Sequence, residues 1–205
     1  MDPYLIMLLV ASLYILAFGL LGFLRREGLS AQFALEGAAL TVVLVGGSWL
    51  LHLPLNPFVF LAVLYLVTMR SRLAVDAANF MMRRKYQKIA FRLYDLALAW
   101  WPDAPSRLIV LVNKGAAQLH TGQVEASIET LKSVLAEQER RFLGPKYEAA
   151  CHYNLGRAYE KAGEEAKAIA QYAETIELLP GSTYAKAAQA GLKRRQQQDS
   201  RDRGT

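Results

Sequence analysis

The sequence predicts an all-α protein in two parts: a three-helix transmembrane anchor followed by a short α-solenoid of helical repeats. Two observations support this fold class, a near absence of charge in the first third of the chain and a recurring helix–turn–helix pattern in the rest. Residues 1–69 contain 2 basic and 3 acidic side chains, whereas residues 70–205 contain the other 22 basic and 15 acidic ones. The overall hydrophobic content of 53% is therefore an average over two unlike regions.

Three apolar segments predict membrane-spanning helices at about residues 3–24, 33–53 and 54–70. The first is 22 residues long and uncharged, and a helix of about 20 apolar residues crosses the bilayer core. A cleaved signal peptide is the competing interpretation. We disfavour it because no basic residue precedes the apolar run, which also exceeds the roughly 7–15 residues of a signal-peptide core.

The third apolar segment gives the weakest signal of the three. Its uninterrupted apolar part, residues 57–69, is short for a span, and a partly re-entrant segment is the alternative. Neither proline nor glycine follows it before Pro102. We therefore expect the third helix to continue out of the membrane as a long rod.

Basic residues predict the orientation of the anchor, because Lys and Arg near the ends of spans remain in the cytoplasm. The first connection contains Arg25 and Arg26, the second contains neither Lys nor Arg, and the segment after the third span is strongly basic. We expect a multi-pass integral membrane protein with its N-terminus outside and its repeat region cytoplasmic. A collar of basic side chains is expected to face the lipid headgroups: Arg70, Arg72, Arg83, Arg84, Lys85 and Lys88.

Glu36 is the only acidic residue within the three predicted spans. An ionisable group at membrane depth is a functional candidate by default. Because Glu36 lies about one turn from the basic first connection, we favour an interfacial ion pair with Arg25 or Arg26. The alternative is that Glu36 is the working group of a small membrane transport or sensing unit whose function lies in the spans.

The second part of the chain contains a helix–turn–helix pattern that is clearest at residues 149–180. Small, aromatic and turn residues fall at fixed offsets there: Leu155, Gly156, Tyr159, Gly163, Ala168, Tyr172 and Pro180. Apolar residues three or four apart share a helix face, and a glycine between two such faces provides a turn. The segment resembles the tetratricopeptide repeat (TPR), a two-helix unit of about 34 residues. In that family, small residues let the two helices touch and aromatic residues fill the space between them.

More degenerate units precede the clear one. One lies at residues 108–136, and the second helix of a still earlier unit matches at Ala90, Tyr94 and Ala97. The first helix of that earliest unit is expected at residues 71–84. The two later units are 41 residues apart, which predicts a longer second helix or a longer connection near residues 137–144.

These patterns divide the chain into three regions. Residues 1–69 form the transmembrane region, and residues 70–192 form the TPR-like repeats together with a C-terminal capping helix. We expect Ser182 to cap that last helix. Residues 193–205 contain no large apolar side chain and are expected to form a disordered basic tail.

The resemblance implies that the first helices of the repeats line a concave groove that binds a protein partner. By matching offsets, the groove residues are Ile109, Val112, Ala116, Leu119, Ala150, Tyr153, Arg157 and Glu160. The expected function is therefore that of a membrane-anchored TPR scaffold or adaptor for protein–protein interaction. Such a protein acts as an assembly factor or as an accessory subunit of a larger membrane complex.

Catalytic and cofactor-binding patterns are absent from the sequence. A single cysteine excludes a disulfide framework and multi-cysteine metal sites, and the three histidines have no carboxylate at metal-ligand spacing. Trp100 and Trp101, before Pro102, are interpreted as packing residues. Residues 93–192 carry 10 basic and 12 acidic side chains, which argues against a nucleic-acid partner. We predict no enzymatic activity, no cofactor and no metal.

Overall fold

The computed structural model describes residues 2–24, 30–53, 55–138 and 143–202. Within these ranges the regular secondary structure consists of ten α-helices and no strand. The helices are α1 Pro3–Leu24, α2 Ala31–Leu50, α3 Pro57–Thr68, α4 Arg70–Arg83, α5 Gln87–Ala99, α6 Ala104–His120, α7 Val124–Gln138, α8 Pro145–Lys161, α9 Glu165–Leu178 and α10 Thr183–Asp202.

Helices α1, α2 and α3 pack together around a small apolar core that includes Met7, Tyr14, Phe60 and Leu64. Ser30 begins α2 by accepting a hydrogen bond from the Phe33 amide at 3.1 Å, and such caps satisfy amides that the helix leaves free. Helices α1 and α2 are long and apolar enough to cross a membrane. A third crossing is obtained only if α3 and α4 are counted together as one bent span.

The predicted rod after the third apolar segment is wrong, because the chain bends by 73° between α3 and α4. Thr68 at the end of α3 donates its hydroxyl to the Leu64 carbonyl at 2.7 Å, an interaction that tends to bend helices. Beyond the bend, the hydroxyl of Ser71 donates to the Ala97 carbonyl at 3.1 Å. The break therefore turns α4 away from the axis of α3 so that it packs on α5.

Helices α4 to α9 form three successive antiparallel hairpins, which confirms the predicted α-solenoid. Each hairpin turns through a residue with a left-handed backbone: Lys85 (φ 64°), Gly122 (φ 83°) and Gly163 (φ 76°). Glycine adopts this conformation without a Cβ clash. The first helix of the earliest hairpin, α4, lies where the sequence predicted it. Of the segment at 137–144 expected to hold extra residues, 139–142 lie outside the described ranges.

Glycines let the two helices of a hairpin touch at the positions that the repeat pattern predicts. A Cβ on Gly156 would lie 2.8 Å from Cδ1 of Tyr172 and 3.3 Å from the Ala168 carbonyl oxygen. A Cβ on Gly115 would lie 2.7 Å from Cγ of Leu131. The distances of 2.8 Å to Tyr172 and 2.7 Å to Leu131 are shorter than real Cβ contacts, so a larger residue at either glycine would force the neighbouring side chain to move.

Helix α10 covers the exposed end of the last hairpin. The hydroxyl of Ser182 accepts a hydrogen bond from the Ala185 amide at 3.0 Å, as the sequence predicted. The helix then continues to Asp202, where the sequence predicted disorder from residue 193. Lys, Arg and Gln dominate this stretch and are strong helix formers, so the lack of large apolar side chains does not end the helix.

Candidate functional site

A cleft of about 1120 Å³ separates the end of the anchor from the concave side of the repeats. One wall is formed by the second half of α1 and the first turns of α2, including Leu16, Leu20 and Phe23. The opposite wall is formed by residues of α4, α6, α8 and α10. Among its residues are Asp76, Asn79, Asn113, Lys146 and Tyr184. The first wall is mainly apolar, with Gln32 and Glu36 on its α2 side. The second, here called the polar wall after its charged and amide groups, also includes Leu73, Val75 and Ile109.

The α1–α2 hairpin reaches the cleft because it extends past the bend between α3 and α4. The Tyr14 hydroxyl lies 2.6 Å from Oγ1 of Thr68 at the end of α3, and Gly37 of α2 lies against Ile15 of α1. The Phe18 ring still packs 6.2 Å from that of Tyr65 in α3, so the part of α1 that extends past the bend lies within residues 19–24, about 9 Å at roughly 1.5 Å per residue. This apolar end of the anchor lies beside the repeats.

Arg70 joins the anchor to the repeats at the base of the cleft. Its guanidinium forms two hydrogen bonds with the Glu36 carboxylate, at 2.5 and 3.1 Å. It also donates to the carbonyls of Val67, Trp100 and Trp101 at 2.8, 3.0 and 3.2 Å. A planar guanidinium suits this geometry because its donors are fixed in a fork. Glu36 thus has a partner in Arg70; Arg25 and Arg26, the partners expected from the sequence, lie outside the described residues.

Hydrogen bonds order the polar wall across neighbouring repeats. The Tyr94 hydroxyl donates to Oδ1 of Asn79 at 2.6 Å, and Nδ2 of Asn79 donates to Oδ1 of Asn113 at 3.0 Å. The Asn113 amide in turn donates to the Ile109 carbonyl at 2.7 Å. Burial raises the pKa of Tyr94 to about 12, so its hydroxyl remains a donor at neutral pH. These bonds fix the side chains on α4 and α6 relative to each other.

The predicted groove residues of the middle repeat lie mostly inside the fold. Ile109, Val112 and Leu119 are buried, Ala116 is half-buried, and Ala150 of the following repeat is also buried. Ile109 and Val112 belong to the apolar core that α6 shares with α8. Of these five, Ile109 alone is among the described residues lining the cleft. The offsets taken from the family therefore fall largely on the contact between successive repeats.

In the last repeat, the predicted groove residues contact α10 and the helix beside it. The Tyr153 ring packs 6.1 Å from that of Tyr172 and 5.8 Å from that of Tyr184. Glu160 accepts a hydrogen bond from the Tyr172 hydroxyl at 2.5 Å and pairs with Arg195 at 3.6 Å. Arg157 is exposed and stacks over Tyr153 at 5.9 Å.

The sequence did not predict three residues that line the cleft: Asp76, Asn79 and Lys146. The available signal was an asparagine at the same offset in the first helices of two repeats, Asn113 in α6 and Asn154 in α8.

The predicted basic collar separates into two groups. Arg70 and Arg72 are engaged within the protein, Arg70 as described and Arg72 through a 3.2 Å bond from Nε to the Ser106 hydroxyl. The lipid contact expected of these two residues stays a prediction. The members at the α4–α5 turn are exposed: Arg83, Arg84, Lys85 and Lys88. Trp101 is 85% exposed, so it is not the packing residue that the sequence suggested.

The remaining reactive groups form no catalytic arrangement among the described residues. Burial raises the pKa of the Cys151 thiol to about 12, which leaves it protonated and unreactive at neutral pH. Nδ1 of His152 lies 2.8 Å from Oε1 of Gln171. Histidine, cysteine and carboxylate side chains form no cluster of three or more that could hold a metal ion within the described ranges.

Comparison with known proteins assigns a family to the central repeats. Residues 106–180 match the family model described as tetratricopeptide repeat. The matched segment covers the hairpins α6–α7 and α8–α9. A search of curated proteins gives no match to the chain.

Proposed function

We propose that the chain is a membrane-anchored scaffold for another protein, built on the tetratricopeptide repeats that its residues 106–180 match. TPR repeats are scaffolds for protein–protein interaction. The observation that carries the proposal is the cleft, which has the concave side of the repeats on one side and the apolar anchor on the other. A partner bound there is held at the membrane, as an assembly factor or an accessory subunit of a membrane complex requires.

The membrane part of the proposal rests on α1 and α2, which are long and apolar enough to span a bilayer. The distribution of Lys and Arg favours an N-terminus outside and repeats in the cytoplasm. A test uses single cysteines introduced at Ser30 and Asn56 in a Cys151→Ala background. A membrane-impermeant maleimide added to intact cells should label position 56 but not position 30. The reverse pattern would overturn the orientation.

The exposed part of the basic collar supports contact with lipid headgroups. Helix α4 is 14 residues long and is bent by 73° from α3. At about 1.5 Å per residue, α4 is about 21 Å long. Because of the bend, its C-terminal end lies only about 6 Å beyond its N-terminal end when measured along the axis of α3. Arg83, Arg84, Lys85 and Lys88 therefore remain within roughly 8 Å of the level of the bend, the screening length at physiological salt. Tyr86 is exposed beside them, and tyrosine is enriched at membrane–water interfaces.

The scaffold function is tested by purifying the tagged full-length protein in mild detergent and measuring the stoichiometry of co-purifying proteins. Asp76 is exposed on the polar wall, so Asp76→Arg should lose a partner that the wild type holds in near-equal amounts. Lys132→Glu is the matched charge reversal on an exposed site of α7 and should retain it. The proposal fails if no protein is held near equal stoichiometry, or if both variants hold it equally well.

A further inference from the structure

We propose that the first hairpin, α4–α5, lies in the headgroup layer of the cytoplasmic leaflet and inserts one face of α5 among anionic phospholipids. The inserted face, here called the α5 stripe, consists of Ile89, Leu93, Leu96 and Trp100. The inference rests on the proposed membrane anchor. It goes beyond the headgroup contact of the basic α4–α5 turn, because it makes an apolar face of the repeats part of the membrane contact.

The α5 stripe is apolar and uncovered along the whole helix. Its residues are three or four positions apart, so they share one side of α5. Ile89, Leu96 and Trp100 are 49%, 39% and 42% exposed, and the fourth member is half-buried. Of the described helices, only α4 and α6 pack on α5. The contact with α6 lies on another side of α5, where Asp95 accepts a hydrogen bond from Lys114 at 2.7 Å.

The two ends of the repeat array differ in their outer surfaces. At the C-terminal end, α10 packs on the last hairpin, and its residues 193–197 are all Lys, Arg or Gln. Terminal repeats generally need such a polar outer face to remain soluble. At the N-terminal end, the α5 stripe is apolar, and none of the described helices covers it. An apolar medium on that side of the first hairpin removes this difficulty.

The joint with the anchor holds this end of the array beside the proposed membrane surface. Met69 alone separates α3 from α4. Arg70 donates to the Val67 carbonyl of α3 and to the Trp100 carbonyl at the end of α5, so the start of α4 and the end of α5 both lie where α3 ends. Because of the 73° bend, α4 then rises only about 6 Å over its length. That rise is within the roughly 5–8 Å of one headgroup layer.

The charge beside the stripe favours anionic lipid as the occupant. Residues 80–101 contain 5 basic side chains and 1 acidic side chain, and the acidic one, Asp95, already pairs with Lys114. Basic residues next to Trp, Phe and Leu are typical of helices that lie in an anionic membrane interface. A second copy of the chain, packed through the same face, would bring like charges together. The basic residues are all exposed: Arg83, Arg84, Lys85, Lys88 and Arg92.

Aromatic residues lie at both ends of the stripe. Tyr86 in the α4–α5 turn and Trp101 directly after α5 are exposed. Tyrosine and tryptophan are enriched at membrane–water interfaces because their rings are amphipathic. The Trp101 carbonyl accepts a hydrogen bond from Gln32 of α2 at 3.0 Å, so its backbone is fixed to the anchor although its indole is not packed. Insertion into the headgroup layer gives that indole an environment.

The test measures the surroundings of a nitroxide label on the full-length protein in nanodiscs of phosphatidylcholine, with or without phosphatidylglycerol. In a Cys151→Ala background, Ile89→Cys places the label on the stripe. Ile169→Cys on α9 is the matched control, because Ile169 has a nearly equal exposed fraction of 47% and lies in the last repeat. Electron paramagnetic resonance then reports collisions with oxygen, which concentrates in the bilayer, and with a nickel chelate, which stays in water.

In nanodiscs that contain phosphatidylglycerol, we expect the ratio of oxygen to nickel collisions to be at least about fivefold higher at position 89 than at position 169. Omitting phosphatidylglycerol should lower the ratio at position 89 by about twofold or more. Lys88→Glu/Arg92→Glu should lower it as much, because the reversed charges are repelled by the anionic surface. Lys132→Glu/Lys186→Glu, the same charge change on exposed sites of α7 and α10, should leave it unaltered.

Equal ratios at positions 89 and 169 in both lipids would overturn the inference, while maleimide labelling at positions 30 and 56 would still report on the anchor. A label at position 89 that neither oxygen nor nickel reaches would also overturn it, because protein, such as a second copy of the chain, would then cover the stripe. A high ratio that depends neither on phosphatidylglycerol nor on Lys88 and Arg92 would overturn the preference for anionic lipid.

Discussion

The anchor and the repeats differ in how far their apolar side chains are exposed. In the repeats, two large aromatic side chains, Tyr94 and Tyr172, are fully buried between neighbouring helices. In the anchor, the core is small, and long rows of leucine point outward from α1. The two regions have the same secondary structure. They differ in what surrounds the helices: the repeats supply their own apolar environment, whereas the exposed leucines of α1 suit the bilayer in which we propose that the anchor lies.

The glycines show the same contrast at the level of single atoms. Gly115 and Gly156 in the repeats lie where any Cβ would clash with a neighbouring side chain. Gly46 and Gly47 in α2 have no such neighbour within 4 Å. A glycine in the repeats is therefore required by a close helix crossing, whereas these two in the anchor are free to change. Substitutions matched between the two regions should consequently have very different effects.

The largest difference is expected between two aromatic residues. Tyr172 is 1% exposed in the repeats, and Phe58 is 82% exposed on α3. Removing a buried aromatic side chain leaves a cavity, so Tyr172→Ala should lower the free energy of unfolding by about 4 kcal/mol. Phe58→Ala should change it by less than about 0.5 kcal/mol. Denaturant unfolding in detergent, followed by circular dichroism, measures both; equal losses would contradict the contrast.

A smaller loss is expected from adding one methyl group at a close crossing. Gly156→Ala places a Cβ 2.8 Å from the Tyr172 ring and 3.3 Å from a backbone oxygen that cannot move away cheaply. We expect a loss of about 2 kcal/mol, as in other overpacked sites. Gly46→Ala meets nothing within 4 Å and should be neutral or slightly stabilising, because alanine favours helix. A destabilised Gly46→Ala would show that α2 packs against something at that face.

Alkaline pH should destabilise the repeats, because the fold favours the protonated forms of Cys151 and Tyr94. Burial raises the pKa of the Cys151 thiol from about 9 to about 12 and that of Tyr94 from about 10 to about 12. At a pH between the ordinary and the raised pKa, these groups are deprotonated in the unfolded chain but still protonated in the folded one. The free energy of unfolding therefore falls as pH rises through this interval. From these two pKa shifts we expect about 4 kcal/mol less stability at pH 11 than at pH 8. Cys151→Ala should reduce that dependence, and an unchanged slope would contradict the assignment.

The repeat pattern predicted the array well because each of its signals has a local cause. Gly156 and Tyr172 lie on adjacent helices of one hairpin, and Gly163 between them forces the turn. Ser182 caps the helix that begins at the next residue. All of these interactions join residues close in sequence, so spacing alone is enough to identify them.

The features that the sequence missed depend on contacts between distant residues. The pairing of Arg70 with Glu36 joins positions 34 apart, and it depends on a bend at Met69 that no proline or glycine marks. The burial of Val112 follows from how closely α8 packs on α6, which an offset cannot show. The cleft itself was unpredictable, because it requires the length of α1 relative to α3 as well as the direction of α4.

A modest gain in stability is expected where a repeat departs from its pattern. Gln118 occupies a position at which the family favours tyrosine. It is 8% exposed, and its Oε1 has no hydrogen-bond partner. An unsatisfied buried acceptor costs about 1–3 kcal/mol, so Gln118→Leu should raise the free energy of unfolding by about 1 kcal/mol. Gln123→Leu on an exposed turn is the control and should give no gain.

The smallest effect is expected at the joint between the two regions. Arg70→Gln removes the bonds to Glu36 and to the carbonyls of the α5–α6 connection. Because ion pairs that are partly exposed contribute at most about 1 kcal/mol, we expect amide exchange near residues 67–71 to rise only about threefold. Exchange in α8 and α9 should not change. Arg107→Gln removes a comparable pair with Glu137, 3.0 Å long and remote from the anchor, and should leave exchange at the joint unaltered.

Glu36→Gln separates a positioning role for Glu36 from a function within the spans. The amide still accepts a hydrogen bond from Arg70 but loses the charge that strengthens it. If Glu36 only holds the repeats against the anchor, exchange at the joint should rise less than in Arg70→Gln, and partner capture should persist. Capture that survives Glu36→Gln but fails in Asp76→Arg would assign binding to the cleft wall. Loss of capture in Glu36→Gln with unchanged exchange at the joint would instead make the carboxylate part of the binding site.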